Sequence, residues 1–201
     1  MPQSTRFFSS NEAKSAVVSR VNQLLQSRER VSIAIDGNCC AGKTTMAIRL
    51  GDVLDASVFH LDDYFLQPHM RTQQRLSQPG GNVDAERFLA DVLLPASRGE
   101  TAQVQKYDCH ADMLLAPVSI LSRRVTIIEG AYCLHPLLSG YYDLKIFCRI
   151  DPMLQETRIL ARNGADALKM FQERWIPLEN RYFQALNIQE QCDLVIDAVE
   201  T

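Results

Sequence analysis

The sequence lacks long apolar runs and an excess of positive charge. Its longest apolar candidate, residues 113–121, contains Pro117 and Ser119 and is far shorter than the roughly 18 apolar residues that a membrane span needs. The first 30 residues hold no apolar segment typical of a secretory signal. With 21 Lys and Arg against 24 Asp and Glu, the net charge is −3, whereas general nucleic-acid binders usually carry a basic excess. We therefore expect a cytoplasmic protein that binds neither membranes nor nucleic acids.

The six cysteines show neither a C-x-x-C pair nor a Cys/His spacing typical of zinc sites, so we expect free thiols in a reducing compartment. The chain also lacks internal repeats, low-complexity tracts and Gly/Ser linkers. Its 201 residues, 46% hydrophobic and 22% charged, are ordinary for a globular protein with a real core. We expect a single domain over 1–201, with an N-terminal helix within 1–29 and a core over 30–198.

Short apolar runs rich in β-branched residues alternate with helical patterns along the chain. The runs predicted as strands are 31–36, 57–60, 125–129, 144–150 and 194–197. The segments predicted as helices are 11–28, 43–54, 84–96, 131–138, 152–162 and 165–185. Strands that alternate with helices indicate βαβ units. We therefore predict an α/β fold of three layers, α/β/α, around a mainly parallel five-stranded sheet.

Two segments depart from this alternation. Residues 101–107 alternate with a period near two and, with residues 114–120, are predicted to form a small hairpin outside the main sheet. Residues 66–83 are aperiodic and contain Pro68, Pro79, Gly80 and Gly81. We interpret them as a mobile functional loop.

Residues 37–44, with the sequence GNCCAGKT, match the pattern G-x-x-x-x-G-K-[ST] of a P-loop. Gly37 and Gly42 let the backbone wrap around phosphates, Lys43 brings charge to the β- and γ-phosphates, and the Thr44 hydroxyl can ligate Mg²⁺. The motif follows a predicted strand and opens a predicted helix, as a P-loop requires. We predict that a nucleoside triphosphate binds to Gly37, Asn38, Cys39, Cys40, Ala41, Gly42, Lys43, Thr44 and Thr45.

Acidic residues lie at the ends of several predicted strands: Asp36, Asp62, Asp63, Glu129 and Asp151. The carboxyl ends of parallel strands meet at the edge of the sheet where ligands bind. Glu129 is our candidate to hold Mg²⁺ together with Thr44, the alternative being an acid favoured by a helix N-terminus. Asp62 and Asp63 are suited to orienting an acceptor hydroxyl and taking its proton, the alternative being a plain pair of capping acids.

Arg158 and Arg162 are four residues apart and share one helix face, followed by Lys169 and Arg174. Arginines can clamp a phosphoryl group during transfer, which predicts a helical lid over 152–175. A solvated helix face is the alternative interpretation.

Taken in order over residues 31–196, further segments resemble the uridine kinase and phosphoribulokinase group of P-loop kinases, and uridine kinase-like proteins most. The resemblance lies in GNCCAGKTT (37–45), HLDDYF (60–65), NVDAERF (82–88), KYDCH (106–110), IIEGAY (127–132) and DLKIFCRID (143–151). Residues 161–183 resemble bacterial uridine kinase-like members. The resemblance implies transfer of phosphate from ATP or GTP, with Mg²⁺, to a small hydroxyl substrate, classically the 5′-hydroxyl of uridine or cytidine.

The resemblance also implies roles for individual residues. Asp62 would be the catalytic base, assisted by Lys43, while Thr44 and Glu129 would hold Mg²⁺ and Arg158 and Arg162 would belong to the lid. Asp84 would bind the ribose hydroxyls of a nucleoside. Tyr107 and His110 would lie near its nucleobase, with Tyr64 or Phe65 beside them. From the residues alone, Asp84 is also a good helix cap, and Tyr107 and His110 could equally end a strand at the surface.

Two departures from the family pattern leave the acceptor open. Only Cys109 separates Asp108 from His110, and Asn163 stands where the family's lid often has an acid. The acceptor could instead be pantothenate, nicotinamide riboside, glycerate or a sugar phosphate, for which Arg71, Arg75 and Lys106 are candidate ligands. A nucleotide-dependent regulator without an acceptor is the third hypothesis. Homo-oligomerisation is compatible with the sequence.

Overall fold

The computed structural model describes residues 6–8 and 10–198, in which strands and helices alternate. The strands are β1 (Arg6–Phe8), β2 (Val31–Gly37), β3 (Ser57–His60), β4 (Thr101–Val104), β5 (Tyr107–Asp108), β6 (Met113–Leu114), β7 (Val118–Leu121), β8 (Val125–Glu129), β9 (Leu144–Arg149) and β10 (Leu194–Asp197). The α-helices are α1 (Ser10–Leu24), α2 (Lys43–Leu54), α3 (Gln73–Leu76), α4 (Ala85–Phe88), α5 (Leu94–Arg98), α6 (Pro136–Ser139), α7 (Pro152–Asn163), α8 (Ala165–Met170) and α9 (Ile176–Ala185).

The centre of the fold is a six-stranded sheet in the order β1-β10-β9-β2-β8-β3, in which all paired strands run parallel. The five predicted strands all lie in this sheet, so the predicted parallel sheet is confirmed. The short strand β1, which the sequence patterns did not indicate, joins it at the edge beside β10. A strand in the middle of such a sheet is buried on both faces and reads as a nearly continuous apolar run, as β2 and β8 do.

Successive residues of β2 face two separate cores, which gives the three layers. Ile33 and Ile35 pack in a core that also contains Val17 of α1 and Leu50 of α2. Ala34, between them, belongs to a core on the other face, which contains residues of α4, α6 and α9. Because side chains alternate across a strand, this short sequence anchors helices to both sides of the sheet.

The predicted hairpin is confirmed, since β4 pairs antiparallel with β7 outside the main sheet, and β5 with β6. The predicted helix over 84–96 is also present as α4 and α5, which a π-helical turn, Leu89–Leu93, joins. In the same way α8 and α9 are joined by a π-helical turn, Phe171–Trp175. The loop over 66–83 contains a 3₁₀ turn, Pro68–Met70, and α3.

The helix predicted over 131–138 is largely wrong, because only α6 is helical there. The Asp36 carboxylate accepts hydrogen bonds from the backbone N–H groups of Tyr132 and Leu134, at 3.2 and 2.8 Å. These contacts hold the segment against the end of β2 in a turn, with Tyr132 in the left-handed region at φ 73°. The apolar residues that suggested a helix are therefore buried by a turn.

Among residues 6–8 and 10–198, no helix has both the length and the apolar character needed to cross a bilayer.

Candidate active site

A cleft of 1270 Å³ lies where the carboxyl ends of the parallel strands meet. One part of its wall is the loop between β2 and α2, which carries the G-x-x-x-x-G-K-[ST] motif. The 152–175 segment and α9 also line the cleft, with Arg158, Arg162, Trp175 and Glu179. The topology thus brings the phosphate loop and the predicted lid residues to one site, at the edge where open α/β sheets bind ligands.

The phosphate loop has the backbone geometry that its glycines predict. Gly37 has φ 130°, and a Cβ there would lie 2.1 Å from the carbonyl oxygen of Cys148 on the neighbouring strand. Gly42, at φ 90°, caps α2 in the left-handed conformation. Both positions therefore require glycine. The loop leads into the N-terminus of α2, whose first N–H groups can bind an anion, although the N–H groups of Asn38, Cys39 and Ala41 are bonded within the protein.

Lys43 is almost fully buried beneath the loop. Its Nζ donates to the carbonyl oxygens of Gly37 and Asn38, at 2.8 and 2.9 Å. Burial would lower the pKa of this amine, but the negative charges of Glu179, Asp62 and Asp36 outweigh burial and raise it. Lys43 is therefore a permanent positive charge at the point where the β- and γ-phosphates of a nucleotide would lie.

Thr44 and Glu129 meet as the sequence predicts. The Thr44 hydroxyl lies 3.1 Å from each carboxylate oxygen of Glu129, and His60 Nδ1 lies 2.5 Å from Glu129 Oε1. This hydrogen bond to Glu129 raises the pKa of His60. His60 thereby holds the carboxylate in place.

This donor set fits Mg²⁺. A hydroxyl and a carboxylate are the hard oxygen ligands that Mg²⁺ prefers, and the ion is commonly held by one or two protein groups together with substrate phosphates and waters. Within the described part of the chain no group of three or more His, Cys, Asp or Glu is placed to hold a metal ion alone. An ion at Thr44 and Glu129 would therefore depend on the phosphates of a nucleotide for its remaining ligands.

Asp62 lies in the cleft just after β3 and remains accessible to a ligand. Desolvation by the surrounding walls of the cleft, together with the charge of Glu129, raises the pKa of this carboxylate to about 6, against the opposing effect of Lys43. Gly130 packs directly against it, since a Cβ at Gly130 would lie 2.9 Å from Asp62 Oδ1. Asp62 is thus a positioned carboxylate with a proton affinity suited to general-base chemistry near neutral pH.

Glu179 is a site residue that the sequence analysis missed. It lies on α9, is 6% exposed, and accepts a hydrogen bond from the backbone N–H of Cys39 in the phosphate loop at 2.9 Å. Burial raises its pKa to about 7, although Lys43 acts in the opposite direction. The signal that could have found it is a lone acid on the helix face that also carries the buried Tyr182, three residues later.

The helix α7 also contacts the loop. Gln155 Nε2 donates to the carbonyl oxygen of Cys39 at 3.1 Å, and Arg158 Nη1 donates to that of Cys40 at 3.1 Å. Arg162 lines the cleft and donates from Nε to the Asn163 side chain at 2.8 Å. The two predicted lid arginines therefore lie beside the phosphate loop, as their spacing suggested.

Two residues predicted to bind substrate are buried instead. Tyr64 is 0% exposed, and its ring packs edge-on against Phe88. Asp84 is 2% exposed, caps α4 by accepting from the Arg87 N–H at 3.1 Å, and receives a second bond from Arg87 Nε at 3.1 Å. Neither residue lines the cleft. The predicted substrate contacts of Tyr64 and Asp84 are corrected on this evidence, and Phe65, the neighbour of Tyr64, lines the cleft.

Tyr107 and His110 lie on the hairpin excursion and do not line the cleft. The Tyr107 hydroxyl contacts Asp112 and accepts from Arg71 Nη2 at 2.6 Å. His110 is exposed at the turn between β5 and β6, where its N–H donates to Asp108 at 2.8 Å. The structure therefore does not bring these two residues to the cleft: His110 has the surface position that the sequence left open, whereas Tyr107 is buried, at 5% exposed.

The three basic residues considered for a sugar phosphate are also engaged away from the cleft. Arg71 pairs with Asp112, and Arg75 with Glu86 at 2.6 Å. Lys106 pairs with Asp63 at 2.8 Å. These cations therefore have acidic partners of their own and leave the acceptor side of the cleft without a basic group from this set.

Comparison with known proteins identifies the fold of the chain but does not assign it to a family. No family model matches the chain, and no curated protein matches its sequence. A possible uridine kinase from Bacillus stearothermophilus is similar in structure, with 18% identity, a TM-score of 0.67, and coverage of 92% of this chain and 98% of that one. A proposed fructose transport system kinase from Silicibacter sp. TM1040 has 24% identity and a TM-score of 0.70, with 90% and 98% coverage. YFH7 from Saccharomyces cerevisiae, a proposed P-loop kinase with a circular permutation, has 12% identity and a TM-score of 0.61, with 96% and 100% coverage.

At these identities the likeness concerns the backbone, and it agrees with the topology and the phosphate loop described above. The chain has the three-layer α/β/α fold of the P-loop kinases, including uridine kinase-like proteins.

Proposed function

We propose that this protein is a kinase that transfers the γ-phosphate of ATP to a hydroxyl of a small acceptor. The observation that carries the proposal is the position of Asp62, a carboxylate open to the cleft beside the phosphate loop, with a pKa raised to about 6. A nucleotide-binding regulator has no use for a base at this position. Phosphoryl transfer to a hydroxyl does need a base, because the proton of the acceptor must be removed.

In this mechanism Asp62 orients the acceptor hydroxyl and takes its proton. The acceptor oxygen forms a bond to the γ-phosphorus while the bond from phosphorus to the β,γ-bridging oxygen breaks, and ADP leaves. Lys43 and the loop N–H groups would bind the phosphates, and Arg158 and Arg162, which line the cleft, would neutralise the transferred group. Mg²⁺, which Thr44 and Glu129 would hold, would offset the negative charge of the β- and γ-oxygens.

Which compound is the acceptor is a more specific question than the type of reaction. The sequence resemblance supports uridine and cytidine as the first candidates. A neutral sugar is the second, because Asp84 and Tyr107, which the resemblance assigns to the ribose and the base, are engaged by Arg87 and Arg71. The name of the Silicibacter protein, a fructose transport system kinase, brings D-fructose into the same comparison.

The test is an acceptor screen with purified protein and Mg-ATP, followed by ADP release. Uridine, cytidine, D-fructose, nicotinamide riboside, pantothenate and glycerate are supplied singly, beside a reaction without acceptor. ADP release that depends on one acceptor, and that Asp62→Asn abolishes, supports the proposal. Tight ATP binding with no acceptor-dependent ADP release from a broader panel would favour the regulator instead.

A further inference from the structure

The turn that carries Asp62 is bonded to the hairpin excursion, the segment that runs from β4 to β7. Lys106 Nζ lies 2.8 Å from Asp63 Oδ2. The backbone N–H of Gln105 donates to the Tyr64 hydroxyl at 3.2 Å. Gln105 and Lys106 form the short link between β4 and β5. The excursion therefore contacts both of the residues that follow Asp62 in the chain.

The link is itself held from two sides. The carbonyl oxygen of Lys106 accepts from the Leu115 N–H at 2.9 Å, and Gln105 Nε2 donates to the Leu115 carbonyl oxygen at 2.9 Å. Arg87 Nη1 donates to the Gln105 carbonyl oxygen at 2.5 Å, and its guanidinium carbon lies 4.1 Å from the centroid of the Tyr64 ring. Lys106 therefore extends from a fixed backbone, which Arg87 ties to the turn.

The turn leaves Asp62 little freedom of its own. Leu61–Asp63 is a 3₁₀ turn, and the Tyr64 N–H closes it by donating to the Leu61 carbonyl oxygen at 2.8 Å. Leu61 is buried, and a Cβ at Gly130 would lie 2.9 Å from Asp62 Oδ1. Because Asp62 and Asp63 are consecutive residues of one short turn, a displacement of Asp63 moves Asp62 as well.

The excursion also holds the segment that follows the turn. Arg71 Nε donates to the Leu66 carbonyl oxygen at 2.9 Å. Its Nη2 donates to the Tyr107 hydroxyl at 2.6 Å and to Asp112 Oδ1 at 2.8 Å. The chain around Asp62 is therefore supported by the excursion at two points, Asp63 and Leu66.

The ion pair of Lys106 and Asp63 lies where position matters more than stability. The two side chains are 51% and 23% exposed, and ion pairs that are open to water contribute little to stability. A general base must lie within hydrogen-bond reach of the proton that it takes, and a misplacement of about 1 Å can lower a rate about 100-fold. Loss of the pair should therefore slow the reaction and leave the fold intact.

From these contacts we infer that Lys106 is a positioning residue for Asp62: through its ion pair with Asp63, it fixes the turn from which the carboxylate reaches the acceptor hydroxyl. The inference rests on the proposed kinase function, because that function makes Asp62 a base. Lys106 does not line the cleft, so it acts through Asp63 and touches no substrate. The link between β4 and β5 thereby becomes part of the support of the active site.

The test compares Lys106→Met, which removes the ion pair, with Lys106→Arg, which can keep it. Both are assayed with Mg-ATP and the acceptor that the screen identifies. We expect Lys106→Met to lower kcat about 10- to 100-fold, with the KM for the acceptor and the Kd for Mg-ATP within about twofold. The midpoint of thermal unfolding should fall by less than about 4 °C. Lys106→Arg should keep kcat within about threefold of the unchanged protein.

Arg98→Met is the matched control. It also removes the cation of an exposed ion pair, since Arg98 is 62% exposed and lies 4.0 Å from Glu100, but it lies at the end of α5 and does not line the cleft. Its kcat should stay within about twofold. A kcat within twofold for Lys106→Met, or an equal fall in Arg98→Met, would overturn the inference.

Asp63→Asn removes the same pair from the other side. We expect it to lower kcat to a similar extent, and Lys106→Met to add less than about twofold in the Asp63→Asn protein, because residues that act as a pair are not additive. Effects that multiply independently would show that Lys106 does not act through Asp63 and would overturn the assignment.

Hydrogen exchange gives a readout without turnover, because it reports local opening of the backbone. The Tyr64 amide, which closes the turn, should exchange at least about fivefold faster in Lys106→Met than in the unchanged protein or in Arg98→Met. Faster exchange in Lys106→Met, with no acceptor-dependent ADP release from the unchanged protein, would contradict the kinase function and support the role of Lys106 in fixing the turn. ADP release that depends on Asp62, with kcat and exchange unaltered in Lys106→Met, would support the kinase and overturn this inference.

Discussion

Replacing Glu179 with glutamine is expected to strengthen nucleotide binding, although Glu179 lines the nucleotide cleft. Its carboxylate accepts a hydrogen bond from the Cys39 N–H at 2.9 Å, and that N–H belongs to the loop whose amides bind phosphate. Its charge also lies near Lys43, whose pKa it raises. A carboxylate here competes with phosphate both for a donor and for a cation, so a nucleotide must displace it or bear its repulsion.

The magnitude follows from the kind of contact that is lost. A hydrogen bond to a charged group contributes about 1.5–3 kcal/mol, and one between neutral groups about 0.5–1.5 kcal/mol. The glutamine amide oxygen can still accept from Cys39, so only the charge-dependent part disappears. We therefore expect a gain of about 1–2 kcal/mol in nucleotide binding, which is a roughly 5- to 30-fold lower Kd.

The expected gain in nucleotide affinity should depend on pH in a direction that can be measured. Burial raises the pKa of Glu179 to about 7, so the group is mostly ionised at pH 8 and mostly protonated at pH 6. The advantage of Glu179→Gln should be present at pH 8 and largely lost at pH 6. Asp62, with a pKa of about 6, titrates in both proteins, and Lys43 stays protonated in both. The difference between the two proteins therefore isolates Glu179.

Calorimetric titration with the magnesium complex of a non-hydrolysable ATP analogue measures the effect at both pH values. Glu173→Gln is the matched control, because it removes the same charge from the same segment at a side chain that is 66% exposed and 3.9 Å from Lys169. It should leave the Kd within about twofold, since exposed ion pairs contribute little. A Kd for Glu179→Gln at pH 8 that equals or exceeds that of the unchanged protein would refute the competition argument.

Three further changes test the same geometry. Asp62→Asn is expected to lower kcat by about 10²- to 10⁴-fold with the Kd for Mg-ATP unchanged, and a parallel loss of both would contradict a role as base. Gly37→Ala should abolish ATP binding, because its Cβ would lie 2.1 Å from the Cys148 carbonyl oxygen; normal thermal unfolding with normal ATP affinity would show that the loop tolerates a side chain. Iodoacetamide should block ATP binding through Cys40, which is partly exposed in the loop, whereas burial raises the pKa of Cys39 to about 12 and keeps that thiol protonated. Two results would count against this interpretation: ATP affinity that survives alkylation, or an equal loss of ATP affinity when the Cys40→Ser protein is treated with iodoacetamide.

The sheet and the phosphate loop could be predicted from the sequence because their signals are local. The β-branched runs of β2 and β8 specify buried strands without reference to other segments, and the glycines of residues 37–44 specify their own backbone conformation. The segment 131–135 could not be predicted in this way. Its conformation depends on hydrogen bonds to Asp36, almost one hundred residues earlier in the chain, and no local pattern encodes such a contact.

The acceptor side of the site shows the same limit. Tyr64 and Phe65 are adjacent aromatic residues, and the sequence offers no reason to choose between them. The 3₁₀ turn Leu61–Asp63 decides the matter, since after it Tyr64 enters the core while Phe65 faces the cleft. Glu179 likewise reaches the phosphate loop because α9 packs against the sheet. Its place on the buried face of the helix can be read from the sequence, but the loop that it contacts cannot.

Carboxylates at this edge of the sheet differ in role because their donors differ. Asp36 is fully buried yet accepts from the N–H groups of Gly37, Tyr132 and Leu134 and from the Tyr182 hydroxyl, so its lone pairs are occupied and it joins β2 to two other segments. Glu129 is buried and is held by Thr44 and His60. Asp62 alone of the three lies in the cleft with no donor from the described residues on its carboxylate and with its pKa raised to about 6. A general base needs a free lone pair and a proton affinity near the working pH, and among these three acids only Asp62 meets both conditions.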